Sequence, residues 1–342
     1  MSRLQGILLA GLLILTLGLG GWSAWQQSLA PVGGSVVRLK IQPGSGSSAI
    51  GDELVQAKVI RSIWSWRAYL LLKGWQNQLQ AGTYDLDPSQ GLPQIAEQVA
   101  RGRVVQVRFT IPEGWNLKQM SRYFAQQQFF VEADFWRLVK GKDRVQVPWL
   151  PAELPLLEGF LYPDTYQLAL DQVTARHVVD QMLERFERVA LPLAPPSQTQ
   201  ALVAWVTLAS IVEREAVVPQ ERPLIAGVFW SRLQKKIPLG ADPTVEYAFG
   251  LQQTPDRPLT FKQVRQYSPY NTYVVTGLPP APIAAPGKAS LESAARPLET
   301  DYLYFMARYD GTHIFSRTEQ EHEQAKQIVR KQRRQLPRIG LP

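Results

Sequence analysis

Cysteine is absent from this chain of 342 residues, which excludes disulfides, thiolate nucleophiles and thiolate metal sites. Stability has to come from packing alone. Histidine is scarce: His177, His313 and His322 are too scattered for an H-E-x-x-H pattern, so a zinc hydrolase of that design is excluded. Charge is missing between Arg3 and Arg38. Elsewhere the balance is basic, with a net charge of +8, but no nucleic-acid-binding motif accompanies it. Part of the excess lies in the closing KQRRQLPR (331–338), which reads as a solvated helix end or as a contact for anionic lipid or an acidic polymer.

With 45% hydrophobic residues the chain can bury a sizeable core, divided over two or three domains. The uncharged run from Leu4 to Trp25 is long enough to cross a ~30 Å hydrocarbon core as a helix. One basic residue before it, and Trp22 and Trp25 at its far end, predict a single-pass anchor in the cytoplasmic (inner) membrane, with the body on the extracytoplasmic side. The lipid bilayer is then a partner through residues 4–25. A cleaved signal peptide is the alternative, because Gly20, Gly21, Ser23 and Ala24 follow the leucine-rich centre.

After a linker at 26–35 the periodicity alternates between strand and helix. VVRLKIQ (36–42) reads as a strand, 47–60 and 62–74 as helices with Ser62 as cap and Gly74 as stop, 79–87 as a strand and 94–102 as a helix. The stretch 36–104 is therefore a small α+β module. A second, at 105–195, opens with a strand to Ile111, a PEGW turn and a helix from Leu117. These strand-turn-helix units resemble LysM-type glycan-binding modules; spacer domains are the alternative. The predicted fold class is α+β: a transmembrane helix, LysM-like module or modules, and a mixed α/β catalytic domain at 196–342, its cleft beside a helix carrying Glu215.

That helix ends in LASIVEREA (208–216), and Ser197 with Gln200 fits an S-x-x-Q cap at its start. At about 100° per residue, Glu213 and Glu215 stand ~200° apart and cannot share a face. Glu215 follows Ile211 and Val212 by four and three residues, whereas Glu213 follows Ala209 and Ser210. A carboxyl on the more apolar side loses hydration and gains the raised proton affinity that a general acid needs. Glu215 is thus the candidate for chemistry and Glu213 the candidate for an ion pair.

Several long motifs occur in order: EGFLYPDTY (158–166), LASIVEREA, ADPTVEYAFG (241–250), SPYNTYVVTGLPPAPIAAPG (268–287) and YLYFMARYDGTHIFSRTEQEH (302–322). With them the chain resembles the endolytic murein transglycosylase, or YceG-like, family over nearly its whole length. The resemblance implies a peptidoglycan lyase that cuts the β-1,4 bond between N-acetylmuramic acid and N-acetylglucosamine within a strand. A 1,6-anhydromuramyl end results, and strand elongation stops. The family's catalytic glutamate maps onto Glu215. One departure exists, since Ala216 stands where the family usually has Thr or Ser. Peptidoglycan glycan strands are the implied partner; cell-wall synthases remain open as protein partners, and nucleic acid is not implied.

A lytic transglycosylase needs no second carboxylate to handle a water, because the substrate's own C6 hydroxyl is the nucleophile, in contrast to ordinary glycosidases. Nothing in that scheme requires a metal, nucleotide or organic cofactor. Under the resemblance Asp242 and Thr244 of ADPTVEY contact substrate, and Tyr270, Asn271, Thr272 and Tyr273 offer ring faces and polar partners for sugars. His313 and Glu321 close one side of the site. Each has a plainer alternative: a helix start at Asp242, and a rigid loop whose Asn271 bonds its own backbone. GLPPAPIAAPG, too proline-rich for a helix, is a fixed loop at the cleft or a connector. Glu158 and Asp164 read as fold-stabilising. Two other functions fit: a noncatalytic peptidoglycan-binding or divisome scaffold, and a two-carboxylate muramidase pairing Glu215 with Asp242 or Glu213.

Overall fold

Two helices inserted between two paired strands build the first of two units, which comprises Met1–Arg108 and Gln167–Val173. The computed structural model describes residues 3–195, 199–254, 257–308 and 310–335, with side chains except at 3–14, 199–200 and 333–335. In order, this unit holds α1 (Arg3–Leu29), β1 (Val37–Ile41), α2 (Ser47–Gln56), α3 (Ile63–Lys73), β2 (Gly82–Leu86), α4 (Leu92–Ala100) and the start of β3 (Gln106–Thr110). β1 and β2 are antiparallel, Leu39 facing Tyr84. The alternation in VRLKI turns Val37, Leu39 and Ile41 to one face and the charges of Arg38 and Lys40 to the other.

On that inner face Ile41, Leu54, Trp66, Leu70, Tyr84 and Ile95 form a dry core. Trp66 is fully buried, and its indole N–H donates to the Ser47 carbonyl at 2.8 Å, so burial leaves no polar atom unpaired. Gly51 makes room for the ring: a Cβ there would lie 2.6 Å from Trp66 Cδ1. Ser62 caps α3 by accepting the Ser65 N–H, and Gly74 ends the helix in the left-handed region at φ 68°.

The anchor expected at residues 4–25 is corrected here. Among the described residues no helix is long and apolar enough to cross a membrane. Side chains 4–14 of that run lie outside those described. The described part of α1 carries Thr16, Ser23, Gln26, Gln27 and Ser28 among its apolar residues, and the helix continues past Trp25 to Leu29. Its end is tied to the unit: Leu29 packs on the core, and Ser65 donates to Ser28 Oγ at 2.7 Å. The bilayer partner and the membrane localisation inferred from the run are withdrawn with it.

The second unit comprises Phe109–Tyr166 and Thr174–Pro342. It contains the end of β3, then α5 (Leu117–Gln126), α6 (Glu132–Val139), the start of β4 (Thr165–Ala169), α7 (Ala175–Val189), α8 (Thr199–Glu215), α9 (Arg222–Gln234), α10 (Asp242–Phe249), α11 (Phe261–Arg265), α12 (Lys288–Ala295), β5 (Tyr304–Ala307), β6 (His313–Ser316) and α13 (Glu319–Gln335). β3 pairs with β4, and β5 with β6 in antiparallel register. The class is α+β, with helices and small two-stranded sheets among the described residues.

Aromatic rings fill the core around α5 to α7. Phe124 meets Phe109 and Phe135 at 5.7 and 5.6 Å, and Trp149 stacks on Phe186 at 5.3 Å. α8 packs against α9, α10 and α12. Its apolar residues Val206, Ala209, Ile211 and Val212 are fully buried. Trp205 fixes one side by donating to the Leu291 carbonyl at 2.9 Å. The cap expected from Ser197 and Gln200 lies outside the residues described with side chains, as does the closing end of the basic run at 336–338.

Candidate active site

Glu215 is the last residue of α8. Ile211 and Val212, one turn back, are fully buried, so the helix delivers Glu215 to the edge of the apolar interior, where it is half-buried. Its carboxyl takes no hydrogen bond among the described residues. Burial, then the negative charges of Asp242 and Glu246, push its pKa up to about 8, against the opposing pull of Arg214 and Arg232. An acid of this kind holds its proton at neutral pH and stays near the point of releasing it.

The same edge collects residues from three other elements. Asp242 opens α10, accepting from the Tyr273 hydroxyl at 2.6 Å and from Gln253 Nε2 at 3.2 Å. Glu246, one turn later, pairs with Arg214 at 3.0 Å and accepts the Gln253 N–H at 2.7 Å. Arg232 of α9 donates to the carbonyls of Leu239 and Leu303, at 2.7 and 2.5 Å, and lies over the Tyr304 ring at 4.9 Å. Arg214, Arg232, Glu246 and Gln253 were not singled out in the sequence. For Glu246 a signal exists, since Asp242 and Glu246 stand four apart on one short helix. Arg232 has no local signal; its role depends on contacts with residues far along the chain.

Glu213 differs from its expected setting. Its carboxylate accepts the Gly287 N–H at 2.9 Å and faces Arg222 at 3.5 Å, with side chains only 6% and 13% exposed. The ion pair exists, but indoors. Gly287 closes the proline-rich loop, which is a buried connector: Ala281, Ile283, Ala284 and Ala285 are all within 3% of full burial. Backbone bonds tie it to the PEGW turn (Gly114 to Ala285, Ala285 to Trp115), and the Ile283 N–H donates to Ser210 Oγ on α8.

The remaining predicted residues are held by internal partners. Thr244 and Thr272 are fully buried, their hydroxyls 2.9 Å apart, and Thr272 Oγ1 accepts the Ala241 N–H. Asn271 is buried and donates to the carbonyls of Val264 and Gln266, a loop brace that leaves no amide for a ligand. These three position the start of α10 and Tyr273. Tyr270 packs its ring on Tyr247 at 5.0 Å. His313 is 2% exposed and paired with Glu221 at 2.7 Å. Glu321 accepts the Arg317 N–H at 2.7 Å in the first turn of α13. The structure thus brings together Glu215, Asp242 and Tyr273, and gives Thr244, Asn271, Thr272, His313 and Glu321 structural partners.

Glu158 is fully buried, accepting the Leu117 N–H at 3.0 Å and the Tyr247 hydroxyl at 3.1 Å. Burial pushes its pKa up to about 8 despite these donors. Among the described residues no group of three or more His, Asp or Glu could hold a metal ion.

The model of the YceG-like family matches residues 39–328. The chain is 33% identical to the endolytic murein transglycosylase of Bacillus subtilis over 310 residues, 86% of this chain and 84% of that protein. Similarity to the endolytic murein transglycosylase of Streptococcus pneumoniae is 27% identity, over 94% of this chain and 65% of the relative's length. The 2.6 Å crystal structure of a yceG-like protein from Listeria monocytogenes resembles it with a TM-score of 0.54 and 31% identity, covering 85% of this chain and 99% of that one. On this match to most of its length, the chain belongs to the YceG-like family.

Proposed function

We propose that the chain is an endolytic murein transglycosylase that cuts the β-1,4 bond between N-acetylmuramic acid and N-acetylglucosamine and leaves a 1,6-anhydromuramyl end. Family membership and the named relatives support the lytic-transglycosylase type of activity. The observation that carries the chemistry is the setting of Glu215: half-buried, without a hydrogen-bond partner among the described residues, and with its pKa raised to about 8 by burial and two neighbouring acids. Protonated Glu215 donates to the glycosidic oxygen as the bond to C1 of the muramyl residue breaks. The C6 hydroxyl of the same residue then attacks C1 and returns its proton to the Glu215 carboxylate. The proton count closes without a water. Arg214 and Arg232, whose fields favour the anion, stabilise the carboxylate between the two steps.

Asp242 favours a second reading. It is a carboxylate beside Glu215, and two such groups can divide acid and base roles around a water, giving a muramidase. The test is the product of purified protein on isolated glycan strands. Mass spectrometry separates an anhydro end, lighter by one water, from a hydrolysed reducing end. Anhydro ends support the lyase, reducing ends the hydrolase, and uncut strands a binding scaffold.

A further inference from the structure

A polar cleft of about 660 Å³ opens beside the candidate site, between α5, α10 and the end of α8. It shares Arg214 and Glu246 with the charged neighbours of Glu215, which places it next to that residue. Its charge is lopsided. Glu246 is neutralised by Arg214 at 3.0 Å. Glu158, at the floor, is held largely in its uncharged form at neutral pH by burial. Lys118 and Arg122 remain, four residues apart on one exposed face of α5, and among the described residues neither forms an ion pair.

Lys118 is placed by more than chance: its ammonium lies 3.8 Å from where a Cβ of Gly250 would stand, over the carbonyl end of α10. That end favours a cation without discharging it. Half-buried Trp136 and Tyr247 line the same cleft and add apolar surface. Two unspent cations in a cleft that also holds aromatic surface suit a carboxylate on a small apolar frame, bound through charge-assisted hydrogen bonds. Uncharged sugar hydroxyls would need neither.

Resting on the murein reading above, we propose that this cleft binds the carboxylate-bearing peptide carried by the muramyl residue, so that stem-bearing strands are preferred to bare glycan. The peptide is attached to the sugar whose C1 reacts, and the cleft adjoins the acid that would act there. Occupying it would therefore place the scissile bond in register with Glu215.

The test is isothermal titration calorimetry on the full chain with two soluble probes, a muramyl disaccharide bearing its peptide and the same disaccharide without it. The peptide-bearing probe should bind about tenfold or more tightly at low salt, the factor one charge-assisted contact supplies. Added salt should shrink that advantage. It should vanish in Lys118→Ala/Arg122→Ala and survive in Lys118→Arg/Arg122→Lys, both checked for folding by circular dichroism. Equal affinity of the wild type for the two probes, or none for either, overturns the proposal. So does a preference retained by the folded double alanine variant. Cleavage is scored separately on strands of both kinds: a protein that shows the preference but cuts nothing removes the lyase reading alone, and one that cuts both while binding both equally removes only this proposal.

Discussion

Tyr273 donates a 2.6 Å hydrogen bond to Asp242, and Gln253 holds the other carboxylate oxygen at 3.2 Å. Both donors come from outside α10, so the carboxyl next to Glu215 is fixed in place. Thr244, Asn271 and Thr272, buried beneath, hold the loop and helix from which Tyr273 and Asp242 project. The setting of Glu215 thereby depends partly on buried residues behind Asp242.

Asp242→Asn tests that link. A general acid must be protonated, so wild-type kcat/KM should decline as pH rises past about 8. Removing the like charge lowers the proton affinity of Glu215, and the decline should begin at lower pH. A pH profile of kcat/KM reads the shift. An alkaline limb left in place would show that the Asp242 charge does not reach Glu215.

Glu213→Gln should cost stability, in contrast to a surface ion pair worth ~0–1 kcal/mol. The amide can still accept from Gly287, but the Arg222 charge, 13% exposed, loses its buried partner. A loss of about 2 kcal/mol is expected from an unpaired buried charge next to a retained hydrogen bond. Urea unfolding measures it. Turnover per folded molecule should stay near wild type, since Glu213 stands on the other side of α8.

The contrast between these two glutamates marks what the sequence could tell. Helical phase was enough to place Glu215 beside buried Ile211 and Val212, because that relation is local. The burial of Glu213 comes from Gly287, far along the chain, and from Arg222 at the start of the next helix, and the period of α8 encodes neither. The same holds for Arg232, anchored through the Leu303 carbonyl. At Thr244, Thr272 and Asn271 residue type alone did not show that the hydroxyls and amide, which suit a sugar, bond one another and the backbone. Strand alternation at residues 37–41 and the Ser62 and Gly74 signals around α3 were legible for the reason Glu215 was: cap and period act within one turn. The apolar count at residues 4–25 overreached, since it took no account of how α1 continues to Leu29 and docks there.

Gly51→Ala tests the core of the first unit. The added methyl would lie 2.6 Å from Trp66 Cδ1, and the ring, fully buried and bonded to Ser47, has little freedom to move. Overpacking of this kind costs about 1–3 kcal/mol. A lowered melting temperature is the expected outcome. An unchanged melt would mean that α2 can shift away from the indole at no cost.

Glu158→Gln should change how stability depends on pH. The folded pKa of about 8 lies above the ordinary value of 4.5, so the folded state holds the proton more tightly than the unfolded chain. The stability this contributes is complete below about 4.5 and is lost as pH rises through about 8. Glutamine keeps an acceptor for Leu117 and does not titrate. The melting temperature of the variant, compared with wild type, should therefore gain steadily from pH 5 toward 8, a window taken from that shift. Parallel curves would mean that Glu158 ionises in the folded protein as readily as in the unfolded one.

Glu215→Gln addresses the chemistry itself. Glutamine keeps the size and the reach of the side chain but has no proton to give the leaving oxygen, so cleavage should fall ~10²–10⁴-fold, the usual contribution of general acid–base catalysis. Stability should rise slightly or hold at pH 8, because a half-buried acid that is crowded by Asp242 and Glu246 is replaced by a neutral group. That pairing of outcomes separates loss of chemistry from loss of fold, since a collapsed helix would lower both. Strand cutting is followed by chromatography of released fragments and stability by thermal melt on the same preparation. A folded Glu215→Gln protein that cuts at near wild-type rate would move the acid role to another residue, and Asp242, the α10 acid whose charge acts most strongly on Glu215, would be the next to replace.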